Sequence, residues 1–233
     1  MAIIDEIFVD FAPCPVSEFA NEVTAPWTTE APELRQWTTE ITEPTSEPSD
    51  PIECTLVECD FEDGSTCSYT VESSFVLENQ PAEGFKVRQG RFANHITGVL
   101  SAAEGTTYLA AYLKNVEDYS KINVILSAPL EESRIIRFYS FEATWSILLR
   151  LCCISQFNTV CNDASNLQAT TSDRKWIKQS YRCPRGTENI EFECKNTGTN
   201  EGACGLDSIE LFIDNGRSPE LALQEVCTAA ISS

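Results

Sequence analysis

The residues with chemistry to offer gather first in the run Cys59-Asp60-Phe61-Glu62-Asp63-Gly64-Ser65-Thr66-Cys67. Asp63-Gly64 is a tight-turn dipeptide, because glycine takes a positive φ without strain. A turn there brings Cys59 and Cys67 to bonding distance. A disulfide closing so short a loop contributes about 2.5 kcal/mol in the chain-entropy account. Two chemistries fit the acidic residues inside it. Either they are the solvated side chains of a turn, or Glu62 and a neighbouring aspartate serve a cation through oxygen ligands.

The other reactive types are mostly cysteines. The chain has eleven, and a single histidine, His95. No two cysteines stand as Cys-x-x-Cys; four residues separate Cys54 from Cys59, seven Cys153 from Cys161, ten Cys183 from Cys194 and nine Cys194 from Cys204. Zinc fingers and ribbons need closer pairs and more imidazoles. The count instead indicates oxidised, extracytoplasmic cysteines. Eleven is odd, and Cys14, without a local partner, is the expected leftover thiol. Cys152 and Cys153 are neighbours on a predicted strand, so their thiols face opposite ways and take different partners. Cys161 suits one of them. Cys54 and Cys227 flank the predicted domain and are placed to tie its ends together.

Hydrolase and nucleotide-binding signatures are absent: the sequence has no Gly-x-Ser-x-Gly, His-Glu-x-x-His or phosphate loop. A cysteine hydrolase built on His95 would need a free thiolate, which oxidised cysteines do not supply. The expectation is a protein without catalysis of its own. The formal charge is −20, of which residues 1–53 carry −11 and hold only one basic residue, Arg35. With no basic stripe, binding to nucleic acid through phosphates is excluded as a function class. No run of 18 apolar residues occurs, so no membrane-spanning segment is predicted. The first residues lack a basic region and acidic residues interrupt their apolar run, so they do not read as a secretory signal. The cysteines outweigh that, and the expectation is an extracellular, secreted or cell-surface protein whose true start lies upstream or whose chain is a fragment.

The elements that must position these groups begin near residue 54. Residues 1–22 show helix-like apolar spacing stopped by Pro13 and Pro15, and their structure stays open. Residues 23–53 are rich in threonine, proline and glutamate, too poor in apolar surface to order, and read as a disordered stalk, glycosylated or bare. Trp27-Thr-Thr-Glu returns as Trp37-Thr-Thr-Glu, a pair of aromatic sites available to a partner. From Cys54 to about residue 214, short apolar runs alternate with turns. The predicted strands are 107–113, 121–126, 134–141, 146–153, 189–194 and 208–213. Residues 146–153 are apolar on nearly both faces, which predicts a central strand. Two packed antiparallel sheets bury these faces, giving an all-β sandwich with residues 215–233 as an extension.

Three segments, Cys59-Asp-Phe-Glu with Cys67, Gly90-Arg-Phe-Ala-Asn-His-Ile-Thr-Gly98 leading into Tyr108–Leu113, and Cys204-Gly-Leu-Asp-Ser-Ile-Glu-Leu211, occur in an order and spacing that resembles the MAM domain of meprin, neuropilin (A5) and receptor tyrosine phosphatase mu. The resemblance covers roughly residues 54–214. It implies a jelly-roll β-sandwich that mediates adhesion or assembly between extracellular proteins, with a homophilic or heterophilic protein partner. It also implies a cation, calcium by ligand chemistry, at Glu62, Asp207, Asp60 and Asn94. This chain departs from the family pattern at several positions. Asn94-His95-Ile96 stands where the family has Asp-His-Thr, Asp207-Ser208 where it has paired aspartates, and Arg134-Ile135 where it has a cysteine. The additional cysteines 152, 153, 161, 183, 194 and 204 mark a divergent, more heavily bridged branch. Two other functions compete with adhesion. A jelly roll can hold a glycan, with Trp145 and Trp176 as stacking platforms against the alternative that both are core residues. The chain can also serve as an accessory module of a larger secreted protease.

Overall fold

The computed structural model describes residues 52–76, 82–163, 174–221 and 226–227, all within the second of the chain's two units, Ser46–Ser233. Cys14, Trp27 and Trp37 lie outside the described residues. Among the described residues ten strands form two five-stranded sheets, and the protein is a jelly-roll β-sandwich. The first sheet has the order β1 (Thr70–Ser74), β4 (Tyr119–Ile125), β9 (Asn189–Asn196), β6 (Ile147–Ile154), β7 (Thr159–Asp163). The second has β2 (Glu83–Gln89), β3 (Thr107–Leu113), β10 (Gly202–Ile213), β5 (Arg134–Glu142), β8 (Ile177–Cys183). Every pairing between these strands is antiparallel.

The core lies between the sheets and follows from period-two patterning. On β9, Ile190, Phe192 and Cys194 point inward and are fully buried, while Glu191 and Glu193 face out beside Lys121. β4 supplies Ile122 and Val124, β6 supplies Leu149 and Leu151, and β5 supplies Ile136 and Phe138 from the facing sheet. Phe138 and Phe192 meet edge to face across the interface, with centroids 4.9 Å apart.

Two disulfides join the sheets directly. Cys194 of β9 bonds Cys204 of β10, and Cys153 of β6 bonds Cys183 of β8, all four sulfurs lying in the core. Cys152, on the opposite face of β6, bonds Cys161 of its neighbour β7. Cys54 bonds Cys227, and Cys59 bonds Cys67. β6 differs from its reading as a central strand apolar on both faces. It is one strand in from the edge, and Leu148, Arg150 and Ile154 on its outer face are only half-buried. The outward Cys152 is covered because its bridge to Cys161 sits over it.

The chain enters this sandwich by a short helix, α1 (Ile52–Val57), where the sequence shows no sustained helical period. Glu53, assigned to the linker by composition, is helical and pairs with Arg134 at 3.0 Å. Cys54 and Val57 of the same turn and a half are buried in the core.

Candidate functional site

The Cys59–Cys67 loop is locked to β10. Cys59 exchanges both backbone hydrogen bonds with Ile209, and Glu58 Oε1 accepts from the Leu211 amide. Phe61 is fully buried at φ 62°, and its carbonyl accepts from the Gly64 amide to close the Asp63-Gly64 turn. The left-handed backbone at Phe61 drives its ring into the core and turns Glu62 the other way. Glu62 then reaches the start of β3. Its Oε1 accepts from the amides of Thr106 (2.8 Å) and Thr107 (2.9 Å), and its Oε2 accepts from the Thr106 hydroxyl (2.9 Å). The Thr107 and Thr106 amides, and then the Thr106 hydroxyl, hold its pKa down at about 2.

Asp207 grips the other end of the same segment. It is buried on β10, and its Oδ2 accepts from the amides of Ala103 (2.8 Å) and Glu104 (3.2 Å). Burial outweighs these bonds and raises its pKa to about 6. Ser208 beside it has φ 48°, and the β10–β5 register shifts between Asp207 and Glu210. That bulge turns the strand and lets Cys59 pair with Ile209. Asp60 spends an oxygen on the Glu62 amide.

Asn94 stands elsewhere. Its Oδ1 accepts from the amides of Ile96 and Thr97, and its Nδ2 donates to the Thr97 hydroxyl and to Tyr112. Tyr112 lies five residues along β3 from Thr107, about 17 Å for an extended strand. The structure therefore separates Asn94 from Glu62 and does not gather the four cation candidates. Among the described residues no cluster of three or more His, Cys, Asp or Glu is arranged to hold a metal ion. His95 is exposed in the same turn as Asn94, and the ten cysteines of the described residues are all in disulfides.

The two candidate tryptophans divide sharply. Trp176 is a structural residue. Its ring packs on Tyr108 and Phe141, its Nε1 donates to the Ser101 carbonyl, and it lies so close over Gly205 that a Cβ there would come within 2.5 Å of it. Trp145 is 62% exposed. It borders a cleft of about 410 Å³ with Thr97, Thr144, Arg174, Thr199, Asn200 and Glu201.

Three turns build this cleft: 94–98 between β2 and β3, 143–146 between β5 and β6, and 197–201 between β9 and β10. The Thr97 carbonyl accepts from the Ala203 amide, and the Ser146 carbonyl accepts from the amide and hydroxyl of Thr197. Gly198 permits the contact between the last two turns, since a Cβ there would stand 2.5 Å from Ser146 Oγ and 3.3 Å from the Trp145 ring. Arg174 is anchored by its Nε to the Ala143 carbonyl at 2.7 Å. Beyond it, His95, Ile96, Gly98, Leu100 and Phe141 line a second, more apolar hollow that also touches Arg174.

Sequence reasoning missed Arg174, Asn200 and Glu201, which carry no local pattern. It also missed Asp118, which is fully buried and accepts from the amides of Val76, Lys114 and Asn115. The only sequence sign of Asp118 is an acidic residue closing the turn between two predicted strands.

No protein-family model matches the chain, and no characterised protein matches it in sequence. Solved structures of similar shape include TmCBM61 in complex with β-1,4-galactotriose (TM-score 0.43, 14% identity, 70% of this chain and 98% of that one). The K1 cleaved adhesin domain of Lys-gingipain from Porphyromonas gingivalis W83 is another (TM-score 0.43, 14% identity, 67% and 97%). A third is CBM27-1 of Caldicellulosiruptor saccharolyticus in complex with mannohexaose (TM-score 0.40, 12% identity, 66% and 94%).

Proposed function

We propose that this chain is a non-catalytic extracellular binding module whose ligand is a glycan seated on Trp145. The observation that carries the reading is the exposed indole at the wall of a polar cleft. An aromatic face in water gains by covering apolar surface, and the C–H face of a sugar ring provides it. The hydroxyls and amide of Thr97, Thr199 and Asn200 supply the directional donors and acceptors that orient sugar hydroxyls. Five disulfides support an extracellular setting. No helix among the described residues is long and apolar enough to cross a membrane. A glycan array probed with the wild type and with Trp145→Ala tests the reading. Retention of at least one glycan class by the wild type and its loss in the variant is the expected result. A wild type that retains no glycan removes the reading.

Adhesion between protein chains, as the MAM resemblance implies, is the second reading. Exposed Ile96 and Leu100 favour it, since they line the adjoining apolar hollow and offer apolar area to a protein surface. Sedimentation of the pure chain with and without calcium tests its homophilic form. Self-association weakened by Ile96→Ser and Leu100→Ser is the outcome that supports it.

A further inference from the structure

We propose that the Trp145 cleft selects a carboxylate-bearing sugar, with Arg174 as the group that reads the carboxylate. This rests on the glycan reading above and adds the charge class of the ligand. Arg174 uses its Nε on the Ala143 carbonyl, which fixes the plane of the guanidinium. Its two terminal nitrogens have no partner among the described residues. A guanidinium held by one edge, with its other donors open, is the fork that a carboxylate meets with two parallel hydrogen bonds. An indole face beside that fork takes the ring of the same sugar.

Among the described residues the one carboxylate lining the cleft is Glu201, and it does not occupy the fork. Glu201 pairs with Lys114 at 3.8 Å. No ion pair joins it to Arg174 among the described residues. Thus the cleft presents a cation whose terminal donors are unspent among the described residues, in a chain of formal charge −20. That acidity opposes the approach of an anion at long range. A direct guanidinium contact survives at about 0.15 M salt, where the Debye length is about 8 Å.

The test is calorimetric titration of the full chain at that ionic strength with paired oligosaccharides. Uronate- and sialate-terminated members are each compared with their neutral counterpart. In at least one pair the acidic member should bind about tenfold tighter or more. Arg174→Gln should abolish the difference between the acidic and the neutral member. Arg174→Lys, which keeps the charge and loses the fork, should recover only part of the difference. Trp145→Ala should weaken both members alike. Melting curves confirm that each variant is folded. Neutral members binding as well as acidic ones, or an acidic preference that Arg174→Gln leaves intact, overturns the charge selectivity and leaves the glycan reading standing. Failure of every pair to bind overturns both.

Discussion

The segment gripped by Glu62 and Asp207 and the cleft walled by Trp145 are both polar and both served by β10, but they spend their polar groups differently. At the first, the carboxylates are used on the chain itself: amides of Ala103, Glu104, Thr106 and Thr107 occupy them. At the second, an indole face is in water and a guanidinium keeps its terminal donors free of the other described residues. Acidic residues look like ligands in sequence because composition shows their charge. Structure shows whether their lone pairs are already spent, and a spent carboxylate is a clamp. A binding region is recognised by what its groups leave unused.

The largest expected contrast is in stability. Asp207→Ala strips the acceptor from two part-buried amides and should cost about 2 kcal/mol in urea unfolding. Trp145→Ala removes an exposed side chain and should change stability by no more than about 0.5 kcal/mol. Equal losses at both sites would mean that Trp145 is packing, and the distinction would collapse. Next in size is ligand affinity, with the roles reversed. Trp145→Ala should weaken glycan binding about tenfold, the order of one aromatic contact. Asp207→Asn, which keeps an oxygen acceptor, should leave it unchanged.

The same contrast explains what could be read in the sequence. The six predicted strands correspond to β3, β4, β5, β6, β9 and β10, the interior strands of both sheets. The four edge strands, β1, β2, β7 and β8, were not predicted. An edge strand has a neighbour on one side only and buries little: every residue of β1 is exposed, and β7 has no buried residue. Without an apolar face, hydrophobic periodicity has nothing to report. The start of β10 was lost for the opposite reason. Gly202 and Gly205 are small because other groups press on them, Ile147 over Gly202 and, closer still, Trp176 over Gly205. At the site level, Cys59, Phe61 and Glu62 were legible because a turn and two cysteines mark them locally. Arg174 was not, since its anchor, Ala143, is 31 residues away in sequence. Trp145 and Trp176 looked alike because burial is a tertiary fact.

Acid titration should separate the two carboxylates of the clamp by sign. Asp207 has its pKa raised from 3.8 to about 6, so the folded chain takes up this proton before the unfolded chain does. Between about pH 6 and 4 its contribution to stability therefore increases as pH falls. Glu62 is lowered from 4.5 to about 2, so its contribution is present above about pH 4.5 and is lost as pH falls toward 2. In melting temperatures recorded from pH 7 to 3, Asp207→Asn should lack the gain below pH 6, and Glu62→Gln should soften the loss below pH 4.5. Because Glu62 is exposed, solvent screens its effect and it should be the weaker of the two. Curves parallel to the wild type for both variants would show that neither carboxylate senses the fold.

The smallest effect expected is at Asn94, and it bears most directly on whether the two regions are separate. Its four hydrogen bonds shape the turn that presents Thr97 to the cleft. Asn94→Ala should cost less than about 1 kcal/mol, the turn being partly solvated, and should weaken glycan binding a few-fold by loosening Thr97. Asn94→Asp restores the carboxylate that the MAM pattern has at this position. It keeps the acceptor for the Ile96 and Thr97 amides, and the hydroxyls of Thr97 and Tyr112 can turn to donate, so the turn and its ligand affinity should survive. It should gain no calcium binding. The new charge would touch Tyr112, which is five residues along β3 from Thr107, about 17 Å, whereas one ion gathers its ligands within about 2.5 Å. Calcium titration of Asn94→Asp against the wild type decides the point. A calcium site gained by that one substitution would place Asn94 and Glu62 in a common site and erase the boundary between the clamp and the cleft.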